Sequence, residues 1–575
     1  MKLTTATSRI VVCLAFGLLV FLGANTQTAQ AQQIQVTAAA PAAAAQGTIN
    51  LNVKVTGKGF KNGAKAKWLI TGTTDPGGVQ VNSTTFVNSG ELTANITVSD
   101  TAVIANFDIT VTNSDGRGGK GTELFAVTPK GGGSAGCPAL APAPTSDTKC
   151  YLAMPGCLDS TFGNNGLVIT DPSVGQVGYN HPTGVLIQAD GKIVASGMTS
   201  SGTSGGLNTD TDFVVLRYQT DGSLDTTFGD PDPLNPPLRL GYVRTPFTSG
   251  HDMTWTSLLQ PDGKIVLAGG ANGVWAVARY DSNGTLDPTF GSGGKQTLNV
   301  TDSFVRDMAI QSDGKLVLVG GPNFTIMRLN QNGSPDFSFG SGGKVNANPS
   351  SAKRGSGLAY AVAIQRMPAV TGEERIVVGG SADSPAVFAL MRFGPNGTVD
   401  STFGSSGRAY TSFFGFGDYI KVLAIDQANR IVAAGRTNTA SSNCGLYVGD
   451  FAVARFTQNG SIDNTFSSDG KVSTDGAGGS NSADGLLLQA DGKIVITGGN
   501  ASSDNSVQDF ALVRYNDDGT PDSSFGILGT GVVTTDTSPS DWSYAVTQQP
   551  WDGKIVVAGI SSFSHRNMGL ARYWQ

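Results

Sequence analysis

Charge is scarce in this chain. Only 14% of its 575 residues are Asp, Glu, Lys or Arg, against roughly 25% in an ordinary soluble domain. No cluster of Lys and Arg occurs, and the net charge is -6. The mature chain is more acidic still, because residues 1–31 carry only Lys2 and Arg9. An acidic surface without a basic patch excludes nucleic acid and anionic membrane as natural partners. Histidine occurs three times. There is no His-Glu-x-x-His, no glycine-rich phosphate loop and no nucleophile motif, so no catalytic signature can be read. Beyond the first 31 residues no apolar run is long enough to cross a bilayer, so no transmembrane segment is expected in the mature chain.

The one apolar run reads as a secretory signal. Lys2 and Arg9 form a basic start, Ile10 to Gly23 the apolar stretch, and Ala29-Gln30-Ala31 a small-x-small cleavage site. The expectation is an exported, soluble, monomeric protein, extracellular or at the cell surface, with the periplasm as the alternative compartment. Four cysteines then remain: Cys137, Cys150, Cys157 and Cys444. An oxidising compartment permits disulfides, with three pairings open. A bridge within the cluster Cys137, Cys150 and Cys157 is expected, with Cys444 as a partner for the third.

What the chain does have is glycine, 78 residues of it, and a repeat. Leu158-Asp159-Ser160-Thr161-Phe162-Gly163 returns at Leu224 and Leu286, and in looser form at Pro335, Val399, Ile462 and Pro521. Asp and Phe survive in all seven copies: Asp159, Asp225, Asp287, Asp336, Asp400, Asp463 and Asp522, with Phe162, Phe228, Phe290, Phe339, Phe403, Phe466 and Phe525. Successive copies lie 66, 62, 49, 64, 63 and 59 residues apart. Such a period means stacked or radially arranged units.

Ahead of the repeat, residues 32–130 alternate with period two in Leu51–Val55, Ala66–Ile70, Leu92–Val98 and Phe107–Val111. One face of each strand should meet a core and the other water. About seven short strands in ~100 residues is the size of an immunoglobulin-like sandwich. The stretch Val111-Thr112-Asn113-Ser114-Asp115-Gly116 with a last strand ending at Val127 resembles bacterial Ig-like domains of the IPT/TIG type. Residues 131–157, rich in Gly, Pro and Ala, read as a linker.

From 158 to 575 each unit carries four strand-like stretches. In the first these are Thr183–Gln188, Ile193–Gly197 after an Asp190-Gly191-Lys192 turn, Phe213–Tyr218 and Tyr242–Thr245. The Ile-Val-x-x-Gly second strand is apolar on both faces, which a ring of packed four-stranded blades explains. The order resembles kelch repeats, and the whole consensus is similar to the delta-60 repeat of exported bacterial proteins. The resemblance implies an all-β, seven-bladed β-propeller without an assigned general activity. Two turns depart from the pattern, Glu373-Glu374-Arg375 and Ala428-Asn429-Arg430, and should be built differently. The chain stops after a third strand, so Leu158–Thr170 should supply the outer strand of the last blade.

Residues repeated seven times serve folding. The recurring Arg217, Arg279, Arg328, Arg392, Arg455, Arg514 and Arg572 are expected to pair with the motif Asp residues, since a half-buried charge needs a fixed partner. The loops Asp281–Asp287 and Asn516–Asp522 have oxygen spacing suited to calcium, but turn chemistry explains them without an ion, and no cofactor is expected. Function should sit on the opposite, variable face. There lie Tyr179, His181, His251, Asp252, Trp255, Trp542 and His565. The three histidines could share a zinc or copper ion, or be unrelated loop residues. The aromatic side chains could equally stack on sugar rings. The expected function is a non-enzymatic binding or scaffold protein that holds an extracellular polysaccharide or a surface protein. The alternative is a propeller lyase or hydrolase acting on extracellular glycans, marked by carboxylates converging on the channel.

Overall fold

The protein is seen in a computed structural model that describes residues 34–128 and 154–575, apart from 42, 72, 104–105, 174–178, 201–210, 302–303, 351–356, 368–371, 384, 441–446, 476–478, 502–507, 539 and 563–565. It divides into two compact units, Met1–Ala135 and Gly136–Gln575.

In the first unit the alternating stretches are strands: β1 Gln35–Ala40, β2 Ala43–Ala45, β3 Leu51–Lys58, β4 Lys65–Ile70, β5 Val79–Asn88, β6 Glu91–Val98, β7 Asn106–Thr112 and β8 Gly118–Thr128. They form two four-stranded sheets, ordered β1-β3-β6-β5 and β2-β8-β7-β4. Val53, Val55, Leu92, Ala94 and Ile96 from one sheet share a core with Trp68, Phe107, Ile109, Val111 and Phe125 from the other. The period-two pattern thus points every second side chain at the opposite sheet.

The second unit holds seven four-stranded antiparallel sheets, each built from strands consecutive in sequence except the last. Their first strands are Asn180–Ile187, Asp252–Leu259, Val305–Ile310, Gly357–Arg366, Asp418–Ile425, Ser482–Leu488 and Trp542–Gln548. Each of these packs against the next, and Trp542–Gln548 packs against Asn180–Ile187, closing a cycle around a central channel. This is a β-propeller. The second strand of the first sheet, Ile193–Ser200, is buried at every residue, because sheets lie on both its faces.

The last sheet is completed from the other end of the array. Leu167–Thr170 pairs antiparallel with Arg566–Tyr573, joining Leu167 to Ala571 and Thr170 to Met568. The adjoining turn is assembled from both ends as well. The Gly156 amide donates to the Trp574 carbonyl at 2.9 Å, and the Trp574 amide donates to the Cys157 carbonyl at 2.9 Å. In the first sheet the same turn is one continuous chain, with the Gly222 amide on the Gln219 carbonyl and the Gln219 amide on Ser223. Cys157 is buried in this turn. Cys137, Cys150 and Cys444 lie outside the described residues, and the expected disulfide with them.

One face of the propeller is a sevenfold belt. Each motif Asp sits 2.7–2.9 Å from a repeated Arg: Arg217 on Asp225, Arg279 on Asp287, Arg328 on Asp336, Arg392 on Asp400, Arg455 on Asp463, Arg514 on Asp522 and Arg572 on Asp159. The second carboxylate oxygen accepts from the Thr or Ser two residues on, as Asp287 does from the Thr289 amide and hydroxyl. The guanidinium also lies over the motif Phe, Arg217 over Phe228 at 4.5 Å for example. It reaches the adjoining sheet too, where Arg217 donates to the Ser282 carbonyl at 2.6 Å. One Arg therefore binds its own motif and staples two sheets.

The two divergent turns keep this belt. Arg375 lies 3.1 Å from Asp400 and Arg430 4.0 Å from Asp463, where Lys192 and Lys264 reach Asp225 and Asp287 in the regular repeats. Ala428-Asn429-Arg430 departs from the expectation of a different build. Asn429 takes the left-handed conformation (φ 64°) that Gly191 takes elsewhere (φ 89°), and its amide closes the same turn on Asp426.

Candidate functional site

Every first strand carries a β-bulge at the same place, its register slipping across Thr183, Trp255, Arg306, Tyr360, Lys421, Asp484 and Tyr544 in turn. A bulge leaves one residue unpaired and re-aims its side chain. Here the bulged strands are the innermost ones, so the re-aimed side chains border the channel. Each bulge falls near the beginning of its strand, away from the hairpin turns, and so toward the variable face. Seven equivalent backbone positions thus carry six different residue types.

Six of these side chains, with His181 and Trp542, line up in a circle of contacts that is bridged between Trp542 and Tyr544 by the strand they share. The Arg306 guanidinium lies 4.7 Å from the Trp255 ring and 5.8 Å from the Tyr360 ring. The Lys421 ammonium lies 5.3 Å from Tyr360 and 3.8 Å from the Asp484 carboxylate. Trp542 Nε1 donates to Asp484 at 2.8 Å. Two residues along the same strand, Tyr544 meets His181 with ring centroids 4.3 Å apart, and His181 meets Trp255 at 5.9 Å. The circle passes through His181 rather than Thr183 in the first sheet.

Its electrostatics are uneven. Burial, reinforced by the positive Arg566, holds the His181 pKa down at about 4, so the imidazole is neutral at physiological pH. Burial raises Asp484, and Lys421 and the Trp542 donor only partly offset it. Burial also raises Asp307, next to Arg306, to about 6, despite bonds from the Val362 and Met308 amides and the Thr256 hydroxyl. Arg306 makes no ion pair or hydrogen bond among the described residues, although its side chain is walled by Trp255, Tyr360 and Phe304. Trp255 beside it has a buried Nε1 without a partner, and so, on the first sheet, do His181 at Nδ1 and Thr183 at Oγ1.

Of the residues singled out from sequence, His181, Trp255 and Trp542 meet in this circle. Tyr179 stands next to it, its hydroxyl accepting from Arg566 at 2.9 Å and its ring under that guanidinium. Asp252 is fully buried and accepts from the Phe247 and Thr248 amides, which braces the crossing between sheets. Asp418 and Asp541 brace the corresponding crossings, so this position belongs to the fold. The His251 carbonyl accepts from the Asn272 amide at the strand entrance. His565 lies outside the described residues. Among the described residues no three-ligand group includes a histidine. In the two loops of calcium-like spacing, Asn283 and Asp518 direct their oxygens at their own turns, to Thr285 and Thr520.

Sequence reading missed Arg306, Tyr360, Lys421, Asp484 and Tyr544. A signal was present. Thr183, Trp255, Arg306 and Asp484 each stand seven residues ahead of the turn Asp of their own repeat. Superimposing the repeats on that turn brings Thr, Trp, Arg and Asp into one column.

The domain of unknown function DUF5122 beta-propeller matches residues 188–228, 260–290, 311–339, 375–403, 429–466 and 489–525. Each span runs from a hairpin turn to a motif Phe, so the match follows the structural belt and leaves the circle outside it. No curated protein matches the chain. Solved structures that are similar include the GH93 alpha-L-arabinofuranosidase of Fusarium graminearum in complex with arabinobiose, at 9% identity and a TM-score of 0.31, covering 69% of this chain and 93% of that one. A protein of unknown function from Bacteroides caccae has 10% identity and a TM-score of 0.29, over 51% and 85%. The GH43 protein BlXynB from Bacillus licheniformis has 9% identity and a TM-score of 0.26, over 69% and 95%.

Proposed function

We propose that this is an exported, non-enzymatic binding protein in which a seven-bladed propeller, preceded by an Ig-like sandwich, holds an extracellular polysaccharide at its channel. The observation that carries the reading is the circle itself. Trp255, Tyr360 and Tyr544 offer flat apolar faces of the kind that lie against a pyranose ring, and Arg306, Lys421, Asp484 and His181 stand between them as hydrogen-bonding groups. Seven four-stranded sheets in one cycle support the blade count, and two four-stranded sheets over one core support the Ig-like reading. The basic-then-apolar start with its Ala29-Gln30-Ala31 site supports export.

Glycoside hydrolysis generally needs two carboxyl groups flanking the scissile bond. In the circle Asp484 is the one carboxylate, held by Trp542. Asp307, next to Arg306 on the third sheet, is engaged by two backbone amides and is not paired with Asp484 across a common bond, which favours binding over cleavage. The test is a glycan array probed with the full chain and with Trp255→Ala and Tyr360→Ala. Wild-type binding that both substitutions abolish is expected. Hits that survive both substitutions would place recognition elsewhere, with a surface protein or the first unit as the next candidates.

A further inference from the structure

Arg306 is a cation of the circle with no ion pair or hydrogen bond among the described residues. A guanidinium offers five N–H donors in a fixed fork and stays charged at any physiological pH. Burial acts against that charge here, and aromatic rings surround it on three sides. Each of the seven belt arginines has a carboxylate within hydrogen-bonding distance, whereas Arg306, which stands outside the belt, has none among the described residues. Arg306 is half-buried, and a cation–π contact of about 0.5–2 kcal/mol replaces only part of the hydration it loses. The fork is therefore suited to an oxyanion that the described residues do not supply.

The surroundings say what kind of molecule carries that oxyanion. Trp255 lies beside Arg306, and His181 beside Trp255, with its Nδ1 unpartnered on a side chain only 6% exposed. Trp255 Nε1 and Thr183 Oγ1 are unpartnered too. An aromatic face, a charged fork and several unpaired neutral polar atoms suit a hydroxyl-rich ring bearing one negative group. A free inorganic anion would leave the aromatic face and the neutral atoms unused.

We propose that the circle binds an anionic saccharide, with the sugar's carboxylate or sulfate on the Arg306 fork and its ring against Trp255. This rests on the saccharide reading above and adds the charge. A uronic acid and a sulfated sugar present the same oxyanion chemistry, so both belong in the test.

Binding of the full chain is measured by calorimetry to oligogalacturonate, dextran sulfate, and neutral galacto-oligosaccharide and dextran, at ~50 mM salt, where screening is modest. The anionic forms of at least one pair should bind about tenfold or more tightly than their neutral counterparts, a difference of about 1.4 kcal/mol. Arg306→Gln should erase that preference. Arg306→Lys keeps the charge without the fork and should retain part of it. Arg239→Gln, on a loop of the first sheet, controls for general charge. Melting curves confirm that each variant is folded. Equal binding of anionic and neutral sugars, lost in Trp255→Ala, would overturn the charge assignment and leave the saccharide reading standing. A preference that survives Arg306→Gln would overturn it as well. No binding to any of the four probes would count against both.

Discussion

The propeller repeats two features seven times, with opposite results. On the belt the same Arg, Asp, Thr or Ser, and Phe recur, and the contacts are the same in every sheet. At the bulge the backbone recurs while the side chain changes from Thr to Trp, Arg, Tyr, Lys, Asp and Tyr. Belt side chains lie between sheets, where volume, charge and hydrogen bonds must all match a neighbouring copy of the same motif. Bulge side chains border the channel, where no copy constrains them. A repeat can diversify only at positions that its neighbours do not fill.

Acid should separate the two regions most strongly. Burial alone would raise the belt carboxylates, but hydrogen bonds from Lys, Thr or Ser and the paired Arg outweigh it and hold Asp159, Asp225, Asp336, Asp400 and Asp522 at about 2. A depressed folded-state pKa contributes stability above the unfolded value near 4, and that contribution is lost as pH falls toward 2. Asp307, beside the circle, is shifted the other way, to about 6. There the folded state binds the extra proton, so lowering pH from about 6 to 4 adds stability. In the same window His181, held at about 4, binds fewer protons folded than unfolded and offsets that gain. Denaturant midpoints should therefore change little from pH 6 to 4 and collapse below it. A midpoint that stays level from pH 4 to 2 would contradict the depressed belt carboxylates.

Single substitutions sharpen the contrast. Asp287→Ala leaves Arg279 buried without its carboxylate and should cost about 3–5 kcal/mol, read as a lower urea midpoint at unchanged m-value. Lys421→Ala should change stability by only about 0.5 kcal/mol. Its ammonium is partly exposed, and its 3.8 Å pair with Asp484 is a weak one. The same substitution should weaken saccharide binding, since it removes one link of the circle. Comparable losses of stability at both sites would erase the distinction between belt and circle.

Much of the fold was legible because repetition multiplies a weak signal. One Leu-Asp-x-Thr-Phe-Gly is a loop; seven in phase are an architecture, and the unfinished last unit foretold the pairing of Leu167–Thr170 with the final strand. The sites were less legible for the same reason. His181, Trp255 and Trp542 drew notice as rare residue types, and Asp252 beside them turned out to brace a crossing. Arg306, Tyr360, Lys421 and Asp484 are common residue types, and only the fixed distance of Arg306 and Asp484 from the turn Asp, shared with Trp255, sets any of them apart in sequence.

The amino-acid sequence by itself determined the all-β class, the number of repeats, the hairpin turns and the pairing of motif Asp with repeated Arg, because these follow from contacts of fixed spacing within or between adjacent units. Tertiary structure alone decided that residues 183 to 544 would share one channel wall. A bulge re-aims a side chain by adding one residue to one strand of a pair, and that mismatch exists only once the partner strand is in register. Closing the cycle then sets Tyr544 against His181, residues from opposite ends of the array, because ring geometry makes the first and last sheets neighbours.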